Sequence, residues 1–242
     1  MAPTVEILPS KAALIKRSHE FMVSTLQEMI AKQGRATIAL SGGSTPKPMY
    51  ELMVGADIPW EKLFVFWGDE RYVPHDHEKS NFRMASEAWL DRVSIPEENI
   101  FPAPTSAGDP AVDAAKYEET IRAFFEINKE GTPQFTLALQ GMGDDGHTAS
   151  LFPNTEALDV RDRLVTVGNH DGEPRITFTV PLINHAQKIA FLVSGENKQN
   201  AISNVFAEEA DNYSYPSRFI QIAGPHWLMD MAAAEGLPDS FK

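Results

Sequence analysis

The chain has 242 residues, 43% of them hydrophobic, no cysteine and a formal net charge of −13. These values fit an ordinary globular domain and exclude a disordered chain, disulfides and thiolate metal sites. An acidic chain with no long apolar run is expected to engage neither nucleic acid nor a membrane, since nucleic acid and anionic membranes need a basic face and a spanning helix needs apolar length.

The first ten residues lack the basic and long apolar regions of a signal peptide, so a cytoplasmic location is expected. Residues 5–8 read as a short strand. Residues 11–32 read as a helix, with Ile15, Met22, Leu26, Met29 and Ile30 on one face. Residues 36–40 form a buried strand. After Ser41-Gly42-Gly43-Ser44-Thr45 comes a helix to Met53, with Pro46 at its first position and Thr45 or Ser44 as its cap. Residues 63–67 are a strand leading into Asp69-Glu70-Arg71, and Ser80 or Asn81 opens a helix to Leu90. Residues 95–108 read as loop around a short strand, and Asp109 caps a helix to Ile127. Residues 135–139 are a strand that ends in Gly141-Met142-Gly143-Asp144-Asp145-Gly146-His147. The alternating segments 164–167 and 175–180 suggest an antiparallel patch. Residues 188–193 are a buried strand, 196–208 a helix, 219–222 a short strand and 227–234 a last helix. Strands alternating with helices predict one Rossmann-like α/β domain over residues 1–242. It has a mostly parallel sheet, helices on both faces and a small antiparallel patch.

Five places carry chemistry. Ser41, Gly42, Gly43, Ser44 and Thr45 join a strand to a helix, where backbone N–H groups, hydroxyls and the helix N-terminus make a phosphate cradle. The loop lacks the Gly-Lys-Ser/Thr ending of a Walker A motif. Asp69 and Arg71 lie just past a strand end, where an arginine can grip a phosphate; the plain alternative is a solvated charged turn. His147 is the candidate base, with Asp145 to orient its ring or stabilise the imidazolium. Arg175 and Lys198 each suit anion binding at a strand end, and each read alone is a surface charge. Three weaker patterns are set aside. His75-Asp76-His77 has no evident partner ligands for a metal. Gly141 to Gly146 matches a dinucleotide fingerprint, but Asp144 and Asp145 would face the pyrophosphate. Ser150 lies outside any nucleophile elbow and reads as a helix-start residue.

Taken together, the blocks Ser41–Pro46, Trp67–Val73, Ser80-Asn81, Gly141–Pro153, Arg175–Thr177, Gly195–Lys198 and Trp227–Asp230 resemble the 6-phosphogluconolactonases. The resemblance spans essentially the whole chain. It implies hydrolysis of 6-phospho-D-glucono-1,5-lactone in the oxidative pentose phosphate pathway, without metal or organic cofactor, by a monomer or weak dimer. His147 and Asp145 would be catalytic. Ser41, Gly42, Gly43, Ser44, Thr45, Asp69, Arg71, Gly141, Gly143, Arg175 and Lys198 would bind substrate. Arg71 and Lys198 would be counter-charges to the phosphate, and the glycine-rich turns would donate N–H groups to the oxyanion. The related glucosamine-6-phosphate deaminases carry a carboxylate after the histidine, where Ser150-Leu151-Phe152-Pro153 has none. Deaminase or isomerase activity and a non-catalytic sugar-phosphate sensor remain the alternatives.

Overall fold

The computed structural model describes residues 3–220 and 224–241. In chain order the elements are β1 (Thr4–Leu8), α1 (Lys11–Gln33), β2 (Ala36–Leu40), α2 (Pro46–Met53), β3 (Leu63–Trp67), β4 (Asp69–Arg71) and α3 (Asn81–Ala88). They continue with β5 (Ile100–Phe101), α4 (Pro110–Phe125), β6 (Leu137–Gln140), β7 (Val165–His170), β8 (Glu173–Phe178) and α5 (Val180–Asn184). Last come β9 (Lys188–Val193), α6 (Gln199–Val205), β10 (His226–Asp230) and α7 (Met231–Ala234). Short 3₁₀ turns punctuate several connections.

Local chemistry sets the helix ends. Ser10 caps α1 by accepting the Ala13 N–H at 3.2 Å, and Gly34 closes it in the left-handed region at φ 78°. Asp109 caps α4 through the Ala111 N–H at 2.8 Å, with Pro110 behind it.

A seven-stranded sheet runs β1-β10-β9-β6-β2-β3-β5, with every pair parallel. Alternate residues on its strands point to opposite faces. Ile38, Leu40, Val65 and Leu228 meet the apolar faces of α1, α2 and α3. Ala39, Phe66, Phe191 and Met229 meet α4 to α7 on the other side. The expected layers are therefore present. A second, antiparallel sheet runs β4-β8-β7.

Three readings are corrected. Residues 227–230 belong to strand β10, buried between β1 and β9, and only Met231–Ala234 is helical. A short apolar run buried on both faces has no period that separates strand from helix. Asp69-Glu70-Arg71 is a strand, with Asp69 and Glu70 buried, because it pairs with β8. Ser150 starts no helix. Ala149 sits at φ 49°, and the Ser150 N–H and hydroxyl turn instead to Thr177 Oγ1 and Asp69 Oδ2. The 219–222 strand reading meets a 3₁₀ turn ending at Phe219, and Gln221 and Ile222 lie outside the described residues.

Candidate active site

Strand order reverses between β2 and β6. From β2 the chain steps out through β3 to β5, and from β6 through β9 to β10. A crevice opens beyond the carboxyl ends of strands at such a point. The loops leaving these two strands are 41–45 and 141–153, the two most distinctive stretches of the sequence. They touch: a Cβ on Gly141 would lie 3.5 Å from Ser41 Oγ. Tyr50, fully buried on α2, donates its hydroxyl to the Ser41 carbonyl at 2.8 Å and accepts the Ser41 N–H at 3.2 Å. The Ser41 amide is therefore used inside the protein rather than offered to an anion. Thr45 occupies the cap position of α2, but its hydroxyl makes no capping bond among the described residues. That departs from the expected cap; Thr45 instead lines the crevice.

The crevice has two lobes that share Gly42, Gly43, Gly141 and Met142 as a common wall. The inner lobe, about 170 Å³, holds His147, Arg71, Arg175, Asp69 and Asn81. The outer lobe, about 590 Å³, holds Ser44, Thr45, Lys198 and Lys11. Arg71 and Lys198, expected on one phosphate, line different lobes.

In the inner lobe Asp145 Oδ1 lies 2.6 Å from His147 Nδ1 and also accepts the His147 N–H at 3.0 Å. With Nδ1 engaged, Nε2 is the ring nitrogen left for the cleft. Phe152 packs against the imidazole with ring centroids 4.5 Å apart and fixes its plane. Burial opposes the charge on Asp145, yet the two bonds from His147 outweigh it and hold the carboxyl below its ordinary value. Gly143 makes this pair possible, since a Cβ there would lie 2.2 Å from His147 Nδ1. Its N–H donates to the His147 carbonyl at 2.9 Å, and Gly143 lines neither lobe. Its observed part is clearance for the His147–Asp145 pair.

The antiparallel sheet supplies the cations. Its register sets Arg71 directly opposite Arg175. Arg71 Nη1 donates to the Lys79 carbonyl at 2.7 Å, and Arg175 lies 5.3 Å over the Phe152 ring. Both Nε groups are buried with no hydrogen-bond partner among the described residues. Burial, and then the positive charge of Arg71, push Arg175 below the usual guanidinium range. Two guanidiniums so placed repel each other, and an anion between them would relieve the repulsion.

Buried carboxylates hold this wall. Asp69 Oδ2 accepts the Ser150 hydroxyl at 2.8 Å, and the Asp69 carbonyl accepts Asn81 Nδ2 at 2.9 Å. Glu70, wholly buried, accepts N–H groups from Arg71, Asn81 and Phe82, each at 2.7 Å, and the Ser80 hydroxyl at 3.1 Å. Burial raises its carboxyl above the ordinary value despite these donors. The charged stretch read as a possible solvated turn is thus a brace between β4 and α3.

The sequence reading missed Lys11, Tyr50, Asn81 and Asp230 as lining or bracing residues. Only the last two carried a signal, inside the Ser80-Asn81 and Trp227–Asp230 blocks. His75 and His77 serve the backbone: His75 Nε2 lies 2.8 Å from the Ala103 carbonyl, and His77 Nδ1 accepts the Lys79 N–H at 3.0 Å. Among the described residues no cluster of three or more His, Cys, Asp or Glu is placed to hold a metal ion, and no helix is long and apolar enough to cross a membrane.

Fold and site together define an α/β protein with a cationic, two-lobed cleft and a histidine–aspartate pair at the carboxyl edge of a parallel sheet. Residues 9–228 match the model of the glucosamine-6-phosphate isomerases/6-phosphogluconolactonase family, and the chain belongs to that family. It is 57% identical over 238 residues to a 6-phosphogluconolactonase of Nostoc sp., covering 98% of this chain and 99% of the relative. It is 55% identical to that of Synechocystis sp. over the same shares. Among solved structures, 6-phosphogluconolactonase from Trypanosoma brucei superposes with a TM-score of 0.82 at 28% identity, covering 98% of this chain and 99% of that one.

Proposed function

We propose that the protein hydrolyses 6-phospho-D-glucono-1,5-lactone to 6-phospho-D-gluconate, the lactonase step of the oxidative pentose phosphate pathway. The family membership and the named relatives support the activity. The observation that carries the mechanism is the Asp145–His147 pair beside the Arg71–Arg175 pair in one small lobe. An acidic, cysteine-free chain suits the cytoplasm.

The substrate lies along the cleft. Its phosphate occupies the outer lobe against Ser44, Thr45 and Lys198, and its lactone carbonyl reaches the inner lobe. His147 Nε2 takes a proton from water as the water oxygen bonds to C1. Arg71 and Arg175 face the negative charge that develops on the carbonyl oxygen. The tetrahedral intermediate then collapses, the bond from C1 to the ring oxygen breaks, and the imidazolium returns its proton to that oxygen. Asp145 keeps Nδ1 protonated and stabilises the imidazolium between the two transfers. Arg71 moves from the expected phosphate role to the carbonyl end because it shares a lobe with His147 and not with Lys198.

The test is lactone hydrolysis followed by acid release against the spontaneous background. A fall in kcat of roughly 10²–10⁴-fold in His147→Ala supports the reading. Release no faster than background with the wild-type protein overturns it.

A further inference from the structure

The outer lobe contains a paradox. A cleft proposed to receive a phosphate dianion has a carboxylate in its wall, Asp230, at the end of β10 and only 4% exposed. Like charge there should weaken phosphate binding. Each of its oxygens is nevertheless committed. Oδ1 accepts the Gly195 N–H at 3.0 Å and the Ala233 N–H at 2.9 Å, and Oδ2 accepts the Ser194 hydroxyl. Ser194 and Gly195 directly follow β9, and they open the turn that carries Lys198. Gly195 stands at φ 103°, a backbone state that side chains rarely adopt. Its carbonyl accepts the Lys198 N–H at 3.1 Å and closes the turn. The carboxylate thus joins the ends of two neighbouring strands, β9 and β10, and pins the residue from which the Lys198 turn springs.

We infer that Asp230 is the positioning residue of the phosphate lobe: it acts by geometry, holding Ser194 and Gly195 so that Lys198 faces the substrate phosphate, and its negative charge is dispensable. The inference rests on the phosphate role of Lys198 proposed above. It also gives a role to Asp230, the last residue of the 227–230 block, whose other members lie in the core.

Geometry and charge make opposite forecasts for Asp230→Asn. An asparagine keeps one oxygen for the two N–H groups, and its amide can donate to Ser194 Oγ once that hydroxyl rotates. It also removes a negative charge from the lobe. Asp230→Ala removes all three acceptor contacts.

The experiment measures the affinity of the folded full-length protein for inorganic phosphate and for 6-phosphogluconate, with kcat and KM on phosphorylated and unphosphorylated gluconolactone. In Asp230→Ala, Kd and KM for phosphorylated ligands should rise about tenfold, the scale of a lost charge-assisted hydrogen bond. Turnover of the unphosphorylated lactone should stay within roughly twofold of wild type, since uniform phosphate binding is the lost term. Asp230→Asn should bind phosphate at least as well as wild type. Ser194→Ala, which leaves the strand end and the backbone contacts intact, should show a smaller rise and guards against loss of fold in Asp230→Ala.

Weakened phosphate binding in Asp230→Asn as severe as in Asp230→Ala would overturn the geometric role. Equal loss on both lactones would reduce Asp230 to general scaffolding and also overturn it. Lys198→Met separates the two levels. If it weakens phosphate binding while Asp230→Ala does not, the positioning role fails alone. If Lys198→Met leaves phosphate affinity unchanged, the phosphate lobe and the role of Asp230 fail together.

Discussion

The two lobes of the cleft differ in which sheets build them and in how local their parts are. The outer lobe sits on loops that leave the strands of the parallel sheet. Its hydroxyls and lysines each follow their own strand by a few residues: Lys11 after β1, Ser44 and Thr45 after β2, Lys198 after β9. The inner lobe draws on both sheets. Its histidine follows β6, and its arginines come from β4 and β8, more than a hundred residues apart in sequence. On the mechanism proposed above, the difference separates holding from reacting. The outer lobe would offer hydroxyls and lysines to a charge that does not change during the reaction. The inner lobe would offer a base and a mutually repelling pair of guanidiniums to a charge that appears only on the way to product.

That division is open to attack. The largest effect expected is on His147→Ala, which should lower kcat roughly 10²–10⁴-fold while 6-phosphogluconate binding changes little. Near-normal kcat in stopped or continuous assays would remove the general base from the inner lobe. Next come Arg71→Ala and Arg175→Ala. Each should lower kcat for phosphorylated and unphosphorylated lactones alike, by about 10²-fold for a lost oxyanion donor. If either raises only KM, and only for the phosphorylated substrate, that arginine belongs to the outer lobe after all.

Lys198→Ala should do the reverse. KM for the phosphorylated lactone should rise by about tenfold with kcat nearly kept, as for removal of uniform binding energy. The unphosphorylated lactone should be unaffected. Ser150→Ala leaves Asp69 Oδ2 without its hydroxyl in a buried site, so unfolding free energy should fall by about 1–3 kcal/mol in urea titrations. A loss below that range would mean that Asp69 finds another donor.

The smallest effect is a pH slope from Glu70. Its carboxyl is raised in the folded state by burial. Its contribution to stability is therefore fully present below the unfolded value, about 4.3, and is lost as pH rises through the raised folded value. Glu70→Gln cannot titrate there. The stability of wild type relative to that variant should decline as pH is raised, and a relative stability that climbs with pH would contradict the assignment.

Much of the parallel framework was legible. β2, α2, β3 and β9 fall on the residues that apolar runs, Pro46 and the glycine pair indicate. Those signals are local: a proline at a helix start or a run of buried aliphatic residues acts on its own neighbours. The strand readings 164–167 and 175–180 fall short of and past the β7–β8 turn, although Asp171-Gly172, at φ 52° and 85°, is a strong two-residue turn signal. Strand β10 was read as helix because burial on both faces erases periodicity.

The site divides in the same way. The sequence alone determined where the chain could change direction and which reactive groups sit at those places: the Ser41–Thr45 loop, the Gly141–His147 turn and the Gly195–Lys198 turn. Glycines, hydroxyls and a histidine at strand ends have few other uses in such density. Only the tertiary structure decided which of these groups meet. It set Arg71 against Arg175 through strand register, gave the Gly143 N–H to the His147 carbonyl, drew the Ser41 amide into Tyr50, and placed Lys198 in a different lobe from Arg71. Each of those outcomes depends on partners distant in sequence, and on hydrogen bonds and charge proximities that exist only once the two sheets are in place.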